Sequence, residues 1–173
     1  MASNTSPPPD AEPAASRPHM PGYGISPATA DGDLLPWSWA VQRLERAHNY
    51  WVATRRPDGS PHLAAVWGVW VDGALHFSTG GRSRKARNLA TDPRCVVSPE
   101  QAEESVVLEG VAERVTGPGE LARVLSVYRR KYGSGFPDPA ENPVFAVRPR
   151  TVFGLIEHEP EFSSNATRWV FAS

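Results

Sequence analysis

The sequence predicts a mainly β protein, an antiparallel barrel of about seven strands with short peripheral helices. Two turn pairs, Asp58-Gly59 and Asp72-Gly73, join three consecutive runs of β-branched, aromatic and aliphatic residues. Such turns between such runs are typical of a meander of antiparallel strands. Further short strands follow toward the carboxyl end, and only three segments show helical spacing.

Composition divides the chain into two zones. Residues 1–33 are rich in Pro, Ala and Ser and lack apolar periodicity, so we expect a disordered tail there. Residues 34–173 are long enough for one domain with one core. The formal net charge of −1 excludes a global field that would attract nucleic acid or a membrane surface, so any anion site must be local.

Several classes of protein are disfavoured by what the sequence lacks. No apolar run is long enough for a membrane helix, and no secretory signal precedes the chain's first elements. A single cysteine, Cys95, allows no internal disulfide, which fits a cytoplasmic protein. No cluster of His, Cys, Asp and Glu has metal-ligand spacing, so we expect no metal. Two strand histidines, His62 and His76, receive no role, since a lone strand histidine is more often structural.

The elements follow from local signals. Pro36 favours a helix start, Ser83 is a candidate N-cap for a second helix that Asp92-Pro93 ends, and Gly133 closes a third. Pro149 separates two expected strands. The expected strands cover residues 50–55, 62–71, 74–79, 95–98, 105–115, 144–147, 151–156 and 167–171.

The segment with the clearest chemistry runs from Ser78 to Lys85. A strand ends in two hydroxyl residues, passes through Gly80-Gly81 and enters a helix start, where four cations lie within six residues. Glycines allow close backbone approach, and a helix N-terminus offers free amides and a positive dipole end. Cations at that end oppose the dipole, a local conflict expected of an anion site. A solvated basic helix capped by Ser83 explains the same spacing equally well.

A family resemblance favours the anion site. The stretches 67–73, 77–79 and 83–93, with Lys-Ala-Arg-Asn-Leu before Asp-Pro, resemble the split-barrel superfamily of pyridoxamine 5'-phosphate oxidase. More narrowly, they resemble the flavin- and deazaflavin-dependent oxidoreductases of actinobacteria. The likeness extends from about Trp37 to Phe171 and implies a split β-barrel that forms a homodimer, with two cofactor sites at the subunit interface.

The resemblance also implies roles for particular residues. Ser83, Lys85 and a neighbouring arginine would contact the cofactor phosphate, and Asn88 would brace the loop from the helix. The backbone of Val66 and Trp67 would run beside the ring, and Trp169 would come from the partner subunit to cover it. The full set of expected cofactor-binding residues is Val66, Trp67, Ser78, Thr79, Arg82, Ser83, Arg84, Lys85, Asn88 and Trp169.

Three functions are compatible with these residues and this resemblance. The first is an oxidoreductase that uses the deazaflavin F420 to transfer a hydride to or from a small conjugated organic acceptor. The second is an FMN enzyme like pyridoxamine 5'-phosphate oxidase, although the chain ends soon after Trp169 and lacks the basic carboxyl-terminal substrate motif. The third is a non-catalytic flavin- or haem-binding storage or sensor module. No catalytic acid or base is assigned, because the ring itself carries hydride chemistry.

Overall fold

A computed structural model describes residues 12–22, 34–134, 138–158 and 162–172. They form eight strands and four helices. In chain order these are β1 (Ala14–Ser16), α1 (Trp37–Arg46), β2 (Asn49–Arg55), β3 (Pro61–Val71), β4 (Ala74–Ser78), α2 (Arg84–Thr91), β5 (Arg94–Pro99), β6 (Glu104–Arg114), α3 (Pro118–Tyr132), β7 (Val144–Ile156), α4 (Phe162–Asn165) and β8 (Thr167–Val170).

Six of the described strands close an antiparallel barrel in the order β7-β4-β3-β2-β5-β6, because β6 pairs back with β7. This confirms the expected mainly β split barrel with short peripheral helices. Alternate strand residues point inward and fill the centre, as the two-residue strand period requires. The interior includes Tyr50, Val52, Phe77, Leu108 and Val152.

Strand β7 runs continuously through Pro149, where the sequence predicts two separate strands. The ladder between β6 and β7 shifts register at Glu109 and Gly110, opposite the proline. A proline has no N–H for the ladder, and a bulge accommodates this within one strand. Gly110 is required there, since a Cβ on it would lie 2.3 Å from the carbonyl oxygen of Arg148.

Part of the amino-terminal segment is ordered. Ala14–Ser16 pair antiparallel with β8, and Nη1 of Arg17 donates a hydrogen bond of 3.3 Å to the carbonyl oxygen of Ala166. The structure therefore differs here from the expectation of a disordered tail over residues 1–33, because the outer edge of β8 offers unpaired backbone groups to a strand. Residues 1–11 and 23–33 lie outside the described residues.

Helix α3 covers the outer face of the barrel beside β3. Its buried residues Val124 and Tyr128 pack on Val69, and Gly133 ends the helix with a φ of 72°. Such a left-handed conformation favours glycine, as the sequence predicts. None of the described helices has the length and apolar character needed to cross a membrane.

Candidate functional site

The barrel is open along part of one strand edge. Strand β4 pairs only with Gly68–Val71 of the longer β3, so no described strand pairs with residues 61–67 on that edge. Ser78 ends β4, and the chain then turns away through Gly80 and Gly81 into helix α2. The backbone of residues 61–67 is therefore free on one side to bind a ligand.

The loop after β4 is held by its own hydrogen bonds. The amide of Thr79 donates to the carbonyl oxygen of Pro143 at 3.3 Å, and the amide of Gly81 donates to that of Glu141 at 2.9 Å. The Oγ of Ser78 donates to the carbonyl oxygen of Asn142 at 3.1 Å. Ser78 thus serves as an anchor for the loop, and its hydroxyl proton is already engaged.

Ser83 is the N-cap of α2, as the sequence predicts. Its Oγ accepts a hydrogen bond of 3.3 Å from the amide of Ala86, and it also lies 3.1 Å from Oγ1 of Thr79. The first helical amides, those of Arg84 and Lys85, have no intrahelical acceptor by helix geometry. These two amides and the positive dipole end of α2 suit an anion.

Three cations surround this helix start without carboxylate partners. In the described parts of the chain, no Asp or Glu lies within salt-bridge distance of Arg82, Arg84 or Lys85. Burial lowers the pKa of Lys85. The donor set of Ser83, two free amides and three unpaired cations therefore fits a phosphate group.

Asn88 contacts the barrel, whereas the family resemblance implies that it contacts the glycine loop. It is 1% exposed, and its Nδ2 donates a hydrogen bond of 2.9 Å to Oγ1 of Thr54 on β2. It thus attaches α2 to the barrel wall and positions the cations that precede it, rather than bracing the glycine loop.

The expected ring-side residues divide between two faces. Val66 is buried inside the barrel, whereas Trp67 is 45% exposed on the outside. The indole of Trp67 stacks on the ring of Tyr132 with centroids 4.7 Å apart and planes 4° apart. Tyr132 also hydrogen-bonds the amide and carbonyl groups of Gly68 and the carbonyl oxygen of His48, so the end of α3 is fixed beside the start of β2 and its neighbour β3.

Trp169 is buried in its own chain and does not lie where the family resemblance places it. It is 1% exposed, its ring centroid is 5.5 Å from that of Trp37, and a Cβ on Gly154 would come within 2.6 Å of the indole. The indole therefore packs inside its own chain, whereas the family resemblance implies that it covers the ring or substrate pocket of the partner subunit. The tight contact with Gly154 accounts for the difference, since aromatic residues have large apolar area to bury.

Two residues to which the sequence assigns no role, His62 and Thr54, lie beside the cation cluster. His62 is paired with Thr54 across the hairpin, and its Nδ1 lies 3.5 Å from Oγ1 of Thr54. The signal was available, because a turn centred on Asp58 places residues 54 and 62 opposite each other on the inner face. The described residues contain no group of three or more metal-ligating side chains.

Comparisons with known proteins bear on the family and the fold. Residues 40–155 match the sequence pattern of the pyridoxamine 5'-phosphate oxidase family. A conserved hypothetical protein from Mycobacterium tuberculosis is 27% identical, with a TM-score of 0.60 over 68% of this chain and 82% of that one. A structure titled F420 reductase is 26% identical, with a TM-score of 0.52 over 64% and 93% of the two chains.

Other similar structures share the fold at lower identity. A heme-binding protein from Mycobacterium smegmatis is 22% identical, with a TM-score of 0.61 over 73% of this chain and 56% of that one. Among curated proteins, no sequence matches.

Proposed function

The chain belongs to the pyridoxamine 5'-phosphate oxidase family, and from this premise we propose that it is an oxidoreductase that uses the deazaflavin F420. The reaction is hydride transfer between the bound cofactor and a small conjugated organic acceptor. The observation that carries the proposal is the cluster of Arg82, Arg84 and Lys85, unpaired with any described carboxylate, at the start of α2. The 26% identity to a structure titled F420 reductase favours the deazaflavin over other cofactors.

The residues present suggest how the cofactor is held. Ser83, Arg84 and Lys85 bind the phosphate, and the ring follows the free edge of β3 toward Trp67. Trp67 is five residues beyond His62 on β3, which corresponds to about 17 Å of extended strand. A phosphate at one end of this edge and a ring near the other fit an elongated nucleotide-like cofactor.

When bound, the cofactor ring supplies the hydride chemistry, and the protein positions and shields it. The role of the chain's own residues is therefore binding and orientation. The stacked Trp67 and Tyr132 give the ring end of the site a flat aromatic wall. Such a wall suits a conjugated, planar acceptor, since aromatic faces prefer offset stacking.

We propose further that the protein is a homodimer. Trp51, Leu63 and Trp67 project from the outer face of the β2–β3 hairpin and are 45%, 60% and 45% exposed. Large apolar side chains grouped on one sheet face are typical of a surface covered by a partner. A second copy docked on this face would also shield the free edge of β3. Light scattering after size exclusion tests this: Leu63→Glu should shift a dimer toward monomer, and a wild-type monomer would contradict it.

The cofactor proposal is tested by titrating the purified protein with F420, FMN and haem, each followed by absorbance and fluorescence. Tight binding of F420, together with reduction or oxidation of a quinone or enone by the loaded protein, supports it. Tight binding of FMN alone, with turnover of an acceptor by the FMN-loaded protein, makes the chain an FMN enzyme instead. Binding of haem, or of any of the three cofactors without turnover, indicates a storage or sensor module.

A further inference from the structure

His62 stands at the end of a short hydrogen-bonded series that begins at Asn88 of helix α2. Nδ2 of Asn88 donates to Oγ1 of Thr54 at 2.9 Å, and this oxygen lies 3.5 Å from Nδ1 of His62. The amide nitrogen of Asn88 can only donate, so the threonine proton is free to be donated to Nδ1. A neutral His62 then carries its own proton on Nε2, at the opposite side of the ring from Thr54.

The charged groups that act on His62 are all cations. Arg84 and Lys85 precede Asn88 by four and three residues, so they lie one helical turn from the residue that attaches α2 beside His62. Burial lowers the pKa of His62 first, and the charges of Arg56, Lys85 and Arg84 lower it further. These three cations, from the β2–β3 turn and from α2, are the charged groups that act on the ring, and no described carboxylate opposes them.

We propose that His62 is a further ligand of the cofactor phosphate and that it takes up a proton when the phosphate binds. The inference rests on the proposed function. Nε2–H donates to a phosphate oxygen, and the negative charge of the phosphate offsets the field of the three cations. The proton comes from solvent and adds to Nδ1.

Thr54 can accommodate the second protonation state. Its hydroxyl oxygen has two lone pairs, so it can accept from Asn88 and from a protonated Nδ1 together. Thr54 is 4% exposed, which leaves water little access to replace it. A purely structural histidine would require neither the change in hydrogen-bond direction nor the proton.

The test compares the wild type with His62→Asn and His62→Ala. The probes are F420, FMN and their phosphate-free counterparts, the deazaflavin riboside and riboflavin. Dissociation constants are measured by fluorescence from pH 5.5 to 8.5, and proton uptake by calorimetry in buffers of different ionisation enthalpy. His158→Asn, at an exposed position after β7, is the matched control.

For the phosphate-bearing probes, we expect His62→Ala to weaken binding about tenfold, the size of one hydrogen bond to a charged group. Binding of the phosphate-free probes should not change. Wild-type affinity for F420 should fall as pH rises from 6 to 8, with proton uptake on binding, and both effects should vanish in His62→Asn.

The outcomes separate the two proposals. Wild-type affinity and proton uptake in both His62 variants, with weakened binding in Lys85→Ala, would overturn the role of His62 and leave the proposed function in place. If the His62 variants lose equal affinity for the probes with and without a phosphate, His62 is a purely structural residue, and the inference is also overturned. Failure of the wild type to bind either cofactor would overturn both proposals.

Discussion

Asn88 of helix α2 donates a hydrogen bond of 2.9 Å to Oγ1 of Thr54 on strand β2, and both side chains are buried. The helix carries the cations of the candidate phosphate site one turn earlier, at Arg84 and Lys85. This buried contact, together with the packing of Ala86 and Leu89 in the core, therefore sets where those charges lie relative to the free edge of β3.

Breaking this contact should destabilise the protein. Asn88→Ala leaves the buried hydroxyl of Thr54 without its donor, and we expect the free energy of unfolding in urea to fall by about 1–3 kcal/mol. Thr54→Val should cost a similar amount. The double variant should lose less than the sum, because the two side chains form one interaction. Strictly additive losses would show that the two residues act independently.

The phosphate role of the cation cluster predicts a specific loss of affinity. Lys85→Ala should weaken cofactor binding by about 1.5–3 kcal/mol, since it removes a charge-assisted contact. Arg87→Ala is the matched control, because Arg87 is exposed and two helix positions away, so it does not share the face of Lys85. Fluorescence titration of both variants measures the difference. Equal affinity in the wild type and Lys85→Ala contradicts the phosphate role.

Gly110 and Gly119 should respond oppositely to alanine. In Gly110→Ala the new Cβ would meet the carbonyl oxygen of Arg148 at 2.3 Å, which forces β6 and β7 apart at the bulge. Overpacking a core that can adjust costs about 1–3 kcal/mol of stability. Because backbone cannot move aside as a side chain can, we expect the free energy of unfolding to fall by more than this, or the variant to fail to fold.

Gly119 lies in helix α3, where a Cβ would be 3.8 Å from Nη1 of Arg123. Gly119→Ala should therefore stabilise the protein by about 0.5–1 kcal/mol, because alanine loses less backbone freedom on folding. Thermal and urea unfolding of the two variants give the comparison. If Gly110→Ala lowers the free energy of unfolding only slightly, the β6–β7 bulge can open to admit the new Cβ.

Lys131 predicts a pH dependence of stability. Its Nζ donates to Oη of Tyr50 at 2.8 Å and to the carbonyl oxygen of Gly68 at 3.0 Å, and burial lowers its pKa to about 8. Between about pH 8 and the unfolded value of 10.5, the unfolded chain binds more protons than the folded one. Stability therefore rises with pH in this window on account of Lys131.

The measurement is the urea unfolding free energy of wild type and Lys131→Met at pH 7.5, 8.5 and 9.5. Methionine keeps most of the apolar stem and removes the amine, so the difference between the two proteins isolates Lys131 from other titrating groups. The free energy of unfolding of the wild type should increase relative to that of Lys131→Met as pH rises. A constant difference would show that the amine titrates at its ordinary pKa.

Local sequence signals predict much of the fold. Ser83 and Asp92-Pro93 bound helix α2 to within one residue, and the two Asp-Gly turns set the β2–β3–β4 meander. Signals of this kind depend on a few neighbouring residues, so they can be recognised in the sequence without knowledge of the tertiary structure. The prediction that Pro149 separates two strands was wrong for the same reason. The bulge that lets β7 continue through Pro149 is formed at Gly110 on another strand, β6.

The candidate site shows the same division. The sequence by itself determined that cations, glycines and hydroxyls follow one another from Ser78 to Lys85, because spacing and residue type are local properties. Only the tertiary structure decided that Asn88 holds this segment to Thr54, that His62 joins it, and that Trp169 packs inside its own chain. Asn88 is distant in sequence from Thr54, and Trp169 from Trp37, so these pairs meet only when the whole chain packs together.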